Sequence, residues 1–143
     1  MLAKNWGVRM AAKDALSESD SNMWSMLANL LGGLGALFVS PLGWLPPLVI
    51  FLIFRERSPF VRKQSAESLN FQLTNLILIA AGIAIIVVGG VFTLGIGLVV
   101  LIPVGVILAF VWLVLFIVWV ILASVRTSKG VAYRYPINIR MVK

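Results

Sequence analysis

No charged residue occurs from Ser68 to Val125. One bilayer crossing takes about 20 mostly apolar residues, so this tract is long enough for two. A second charge-free tract, Ser21 to Phe54, is long for one crossing and tight for two. Average soluble domains are about a quarter charged. This chain of 143 residues is 12% charged and 61% hydrophobic, which excludes an ordinary soluble fold.

Turn residues divide the tracts. Met23 to Val39 reads as one helix, and Ser40-Pro41-Leu42-Gly43 as a turn with Trp44 near an interface. Pro46 and Pro47 suit the first turn of a second helix that ends before Arg55-Glu56-Arg57. Ser58-Pro59 is an N-cap followed by proline at the first helical position. Gly89-Gly90 and Gly95-Ile96-Gly97 bracket a further turn, and Pro103 marks a kink position in the last helix. The expected fold is all-α: a polytopic integral membrane protein, a four-helix bundle with a short first hairpin, an interfacial helix and a long second hairpin. Its membrane domain is 23–125, with helices at about 23–39, 41–54, 69–91 and 98–125 and the interfacial helix at 59–68. A polar tail, 1–22, precedes it and a basic tail, 126–143, follows. In the first tail Lys4, Arg9 and Lys13 mix with Asp14, Glu18 and Asp20, which does not suit a secretory signal. Trp6 and Met10 there are spaced to touch a membrane surface together.

Charge sets the orientation. The connections near 40–43 and 92–97 carry none, whereas the two tails and the 55–67 loop hold all twelve Lys and Arg. The positive-inside rule then puts both termini on the cytoplasmic side of a bacterial inner membrane, with an even number of crossings. Two short spans and a re-entrant hairpin at 23–54 both satisfy that rule, and the two-span form is preferred. Arg55, Arg57, Arg62, Lys63, Arg126, Lys129 and Arg134 are the expected contacts to anionic lipid headgroups. The same charges serve topology, and with no binding module beside them nucleic acid is not an expected partner.

The chain has neither Cys nor His, which removes thiolate chemistry, disulfides and imidazole ligation. Its five acids all lie outside the apolar tracts and form no pair suited to acid–base work. No catalytic residue, metal site or cofactor is expected. Three polar or small-residue patterns remain. Glu67, Asn70 and Thr74 share one side of a helix, and Ser68, Gln72 and Asn75 cluster on the other. They fix the helix junction or line a polar path. Ala28, Gly32, Ala36 and Ser40 recur at four-residue spacing, a close-packing face used inside the bundle or against a partner. Trp112, Phe116 and Trp119, extended by Gly105 and Ala123, form an aromatic stripe suited to packing, to lipid contact or to an apolar ligand.

Two further segments carry a resemblance. "PLVIFLIFRERSPFVRKQSAESLNFQLTN" (47–75) and "SKGVAYRYPINI" (128–139) resemble a family of small bacterial four-helix membrane proteins. These are distant relatives of the twenty-kilodalton membrane subunit of the chloroplast inner-envelope import translocon. The most specific elements are Ser58-Pro59-Phe60-Val61 leading to Leu69-Asn70-Phe71-Gln72, and Gly130 with Tyr133-Arg134-Tyr135-Pro136. Where that family often has a His before the Asn-Phe-Gln element, this chain has Gln64-Ser65. The resemblance implies the four-helix membrane plan and, through the plastid relative, a link to protein translocation or secretion.

The expected function is therefore a non-enzymatic accessory or scaffold subunit of a membrane assembly, partnered by the lipid bilayer and by other membrane subunits or itself. A small-solute channel or carrier formed by an oligomer is the alternative from a different class. An immunity protein against a membrane-active toxin is a third.

Overall fold

Serine caps open two of the four α-helices that start among the described residues. Ser17 Oγ accepts the Asp20 N–H at 3.1 Å, with Glu18 and Asp20 in the favourable first turn, and starts α1 (Glu18–Phe38). A short 3-10 turn, Leu42–Trp44, leads into α2 (Leu45–Phe54), which has prolines in its first turn. Ser58 Oγ accepts the Val61 N–H at 3.3 Å and starts α3 (Pro59–Phe92), again with proline at the start. The last helix, α4, is Leu98–Ser128. The computed structural model describes residues 14–143, so the Trp6 and Met10 pair lies outside the described residues.

The fold class is the all-helical one expected, with no strand among the described residues. Several boundaries differ from the reading of the sequence. The segment 59–68, expected as a separate interfacial helix, is the start of the continuous 34-residue α3. Neither Gly nor Pro interrupts the chain from Phe60 to Ala81, so nothing favours a bend there. Helix α1 starts ahead of the expected Met23, because Ser17 supplies the cap. Helix α4 runs unbroken through Pro103 and ends beyond Val125, before Gly130 at φ 73°.

The two hairpins have very different reach. Helix α1 lies along the first half of α3, where Ser68 Oγ donates to the Ala28 carbonyl at 3.0 Å. Against α4 the close approach is at Gly33, where a Cβ would sit 2.4 Å from Val120 Cγ1. One core cluster joins Ala28, Ile50, Phe54 and Val61. The other joins Phe71, Phe116, Val120 and Ala123 with the tail residues Tyr133 and Tyr135. The turn of the short hairpin, at Ser40, Pro41 and Gly43, faces Gln72, Asn75 and Leu76 of α3. From Leu76, α3 continues to Phe92, about 24 Å further at 1.5 Å per residue. Between Ile77 and Leu115 only Gly90 is buried. The α3–α4 pair thus projects alone beyond the rest of the bundle. By length and composition, α3 and α4 are each able to cross a membrane.

The tight turn between α1 and α2 predicts one mutational contrast. At Gly43 a Cβ would lie 2.5 Å from the Ala36 backbone nitrogen, whereas at Gly82 nothing lies within 4 Å. Gly43→Ala is expected to lower stability by about 1–3 kcal/mol through overpacking. Gly82→Ala is expected to be neutral or to gain up to about 1 kcal/mol from helix propensity. Thermal unfolding in mild detergent, followed by circular dichroism, measures both.

Candidate functional site

Backbone outside helix and sheet leaves its N–H groups without partners, and burying them unpaired is costly. The chain after Gly130 lies outside helix and sheet. Five of its N–H groups are taken up by side chains of α3. The Tyr133 N–H donates to Gln64 Oε1 at 3.2 Å and the Tyr135 N–H to Glu67 Oε1 at 3.0 Å. Further along, the Ile139 N–H donates to Thr74 Oγ1 at 2.9 Å. The chain then folds back. Asn70 Oδ1 accepts the Met141 and Val142 N–H groups at 3.1 and 2.8 Å, while its Nδ2 donates to the Val142 carbonyl at 2.7 Å. Asn138 Nδ2 donates to the Glu67 carbonyl at 3.1 Å. The Arg140 guanidinium stands 3.6 Å from the second Glu67 oxygen. The polar start of α3 is a docking ladder for the C-terminal segment.

An aromatic anchor lies under the ladder. The Tyr135 ring stacks on Phe71 at 3.9 Å between centroids, and Phe71 stacks in turn on Phe116 at 5.4 Å. The Tyr135 hydroxyl donates to Asn29 Oδ1 at 2.9 Å. Asn29 Nδ2 donates to the Ser25 carbonyl at 2.9 Å and reaches Thr127 Oγ1 at 3.5 Å. Three parts of the chain, α1, the end of α4 and the tail, therefore meet at one buried amide. Burial, aided by the neighbouring Tyr133 and Glu67, raises the Tyr135 phenol above its ordinary value, so it remains a donor. Burial also raises Tyr133, opposed by the Arg126 guanidinium 5.8 Å from its ring centre.

The expected site residues fall into distinct places. Glu67, Asn70 and Thr74 come together on the tail. Asn75 accepts the Trp112 indole N–H at 2.8 Å and is not part of the ladder. Gln72 is 2% exposed, and neither amide atom has a partner among the described residues. It lines a cavity of about 10 Å³ with Ser40 and Asn75 beside the short hairpin's turn. In the small-residue stripe, Ala28 and Gly32 are buried, Ala36 is half-buried and Ser40 is exposed. Gly32 faces Ser68, Pro47 and Gln72 of the same chain. Within the aromatic stripe, Phe116 and Trp119 pack on Phe71, and Trp112 meets Trp119 edge-on at 5.8 Å. Arg55, Arg57, Arg62, Lys63, Arg126, Lys129 and Arg134 are exposed. Arg57 also donates to the Asp14 carbonyl at 2.8 Å.

Two residues of this site escaped the sequence reading. Asn29 is the one amide in the charge-free stretch Met23 to Val39, and an unpaired amide there is costly, which is the signal that it has a partner. Gln64 follows Arg62 and Lys63 in sequence, and only its three-residue spacing from Glu67 and then Asn70 puts it on the same face.

The ladder predicts how the tail is held. Asn70→Leu removes one donor and an acceptor shared by two N–H groups. The loss expected is about 1–3 kcal/mol of tail docking. Hydrogen exchange at Met141 and Val142 should then accelerate roughly five- to 150-fold, with α4 amides near Phe116 unchanged. Unchanged exchange at Met141 and Val142 would show that Asn70 does not hold the tail.

A family model matches residues 20–142, and its description is the magnetosome magnetite crystal formation protein family. No curated protein and no solved structure matches the chain. Similarity to the import-translocon subunit is not shown. The match spans all four helices and the docked tail. The chain belongs to the magnetosome magnetite crystal formation protein family, and within it presents two helices long and apolar enough to cross a membrane.

Proposed function

We propose that this protein is a non-enzymatic accessory protein of the membrane in which magnetite crystals form, acting by association with other membrane proteins or with itself. The family match over 20–142 carries this reading. The inventory of side chains supports an indirect part in crystal formation. Iron and iron oxide surfaces are held by carboxylates and imidazoles. This chain has no His, and its five carboxylates all lie outside the apolar tracts. The far connection, Thr93 to Gly97, has no ionisable side chain to offer a mineral. Against the channel reading, Asn70 and Thr74 of its path are engaged by the tail, and Gln72, its third member, is 2% exposed beside a cavity of only about 10 Å³. No observation favours the translocation link or the immunity reading.

Membrane placement is part of the proposal. Helices α3 and α4 cross a bacterial membrane, with both termini on the cytoplasmic side. The short α1–α2 hairpin turns back inside the bilayer, because its turn reaches only the level of Asn75 and Leu76. The chain has no cysteine, so single cysteines report cleanly. A membrane-impermeant maleimide applied from the non-cytoplasmic side should label Phe92→Cys and leave Leu42→Cys unmodified. Labelling of both would establish two full-length spans instead.

The function is tested by deletion in a magnetite-forming bacterium. Electron microscopy should show fewer or smaller crystals, restored by the wild-type gene and poorly restored by Asn70→Leu. Crystals of unchanged number and size would sink the reading.

A further inference from the structure

The docked tail builds a cleft that no element makes alone. Its volume is about 410 Å³, within the range of roughly 300–1,000 Å³ typical of small-molecule sites. The walls come from the turn after α2, the first part of α3 and the end of the tail. Arg55, Arg62 and Lys63 come from the first two, and Arg140 and Lys143 from the tail. Glu56 and Glu67 also line it, so five cations face two carboxylates and the surplus is three positive charges. Both carboxylates are engaged: Glu56 lies 3.9 Å from Arg55, and Glu67 lies 3.6 Å from Arg140. Arg62, Lys63 and Lys143 have no carboxylate partner among the described residues.

The tail's cations are positioned rather than loose. The Asn70 amide clamps Met141 and Val142, immediately between Arg140 and Lys143. Pro59 at the start of α3 also lines the cleft, so the positive end of that helix dipole adds to the field. The floor has apolar atoms of Ala66 and Val142. Guanidinium groups beside ammonium groups, over a partly apolar floor, suit a tetrahedral phosphate carrying an organic substituent.

We propose that this cleft is a binding site for a phosphate ester, of the kind presented by an anionic phospholipid headgroup such as phosphatidylglycerol or by a soluble glycerophosphate. It goes beyond the general attraction of exposed basic residues to an anionic leaflet, because it is saturable and depends on the tail being docked. The site does not rest on the role proposed in crystal formation.

The test uses the full chain in a neutral maltoside detergent, with phosphatidylglycerol titrated in and adducts counted by native mass spectrometry. One saturable adduct is expected. Arg62→Gln with Lys143→Gln should weaken it by about tenfold or more, since each cation near an anionic headgroup contributes several-fold. Arg126→Gln with Arg134→Gln, the same charge change outside the cleft, should alter it by less than about twofold. Asn70→Leu should weaken it as well, with circular dichroism showing that the helices persist. Equal losses from the two double variants would overturn the site in favour of general charge attraction, as would the absence of a saturable phase. Glycerol 1-phosphate at millimolar concentration separates the sources. Competition identifies the phosphate ester as sufficient, and its absence identifies the intact lipid.

Discussion

The bundle depends on one polar exchange: side chains on the first half of α3 satisfy backbone N–H groups of the C-terminal tail. Each partner needs the other. Glu67, Asn70 and Thr74 are too polar to lie unpaired beside apolar helices, and the tail has no sheet to occupy its N–H groups. A buried polar group without a partner costs about 1–3 kcal/mol, so the pairing is worth more than the net gain of its individual bonds. The Tyr135 ring adds dispersion and a hydroxyl that locks onto Asn29, tying the tail to α1. The ion pair between Arg140 and Glu67 is secondary, since the Arg140 side chain is 42% exposed and water screens it.

The small residues of α1 make room for this arrangement. Gly32 and Gly33 let α1 approach Ser68 and Val120 closely. Ser68 then bonds to the Ala28 carbonyl, while Gln72 Nε2 stands beside Gly32, 3.4 Å from where a Cβ would lie. Close approach and polar satisfaction are two aspects of one interface, as in membrane bundles where no hydrophobic drive separates helix from lipid.

Much of this was legible from residue order. Charge-free tracts and punctuating Gly, Pro and Ser located the four helices, and Ser58-Pro59 marked the start of α3. The expected break between an interfacial helix and a span at residue 68 was not there. Polarity alone suggested it, but a helix with a polar first half stays straight when a tail and a neighbouring helix cover that half. The set Glu67, Asn70 and Thr74 was visible as one face from helical spacing. Its partner was not, because a side chain that binds backbone leaves no pattern in that backbone's side chains. Asn29 was overlooked for a related reason: its three partners lie near it in space and are scattered along the chain, at Ser25, Thr127 and Tyr135.

The unequal reach of the two hairpins has a geometric consequence. At the level of Gln72 the described residues present α1, the turn before α2, α3 and α4, but at the level of Ile85 they present α3 and α4 alone. Each helix with its side chains is about 10–12 Å across. The area the molecule occupies therefore shrinks markedly from its charged end toward the Thr93–Gly97 turn. With the membrane placement proposed above, such a body is a wedge, with its broad end in the leaflet that faces the basic residues. Many such wedges side by side relax when that leaflet is the convex one, which is the outer face of a small vesicle.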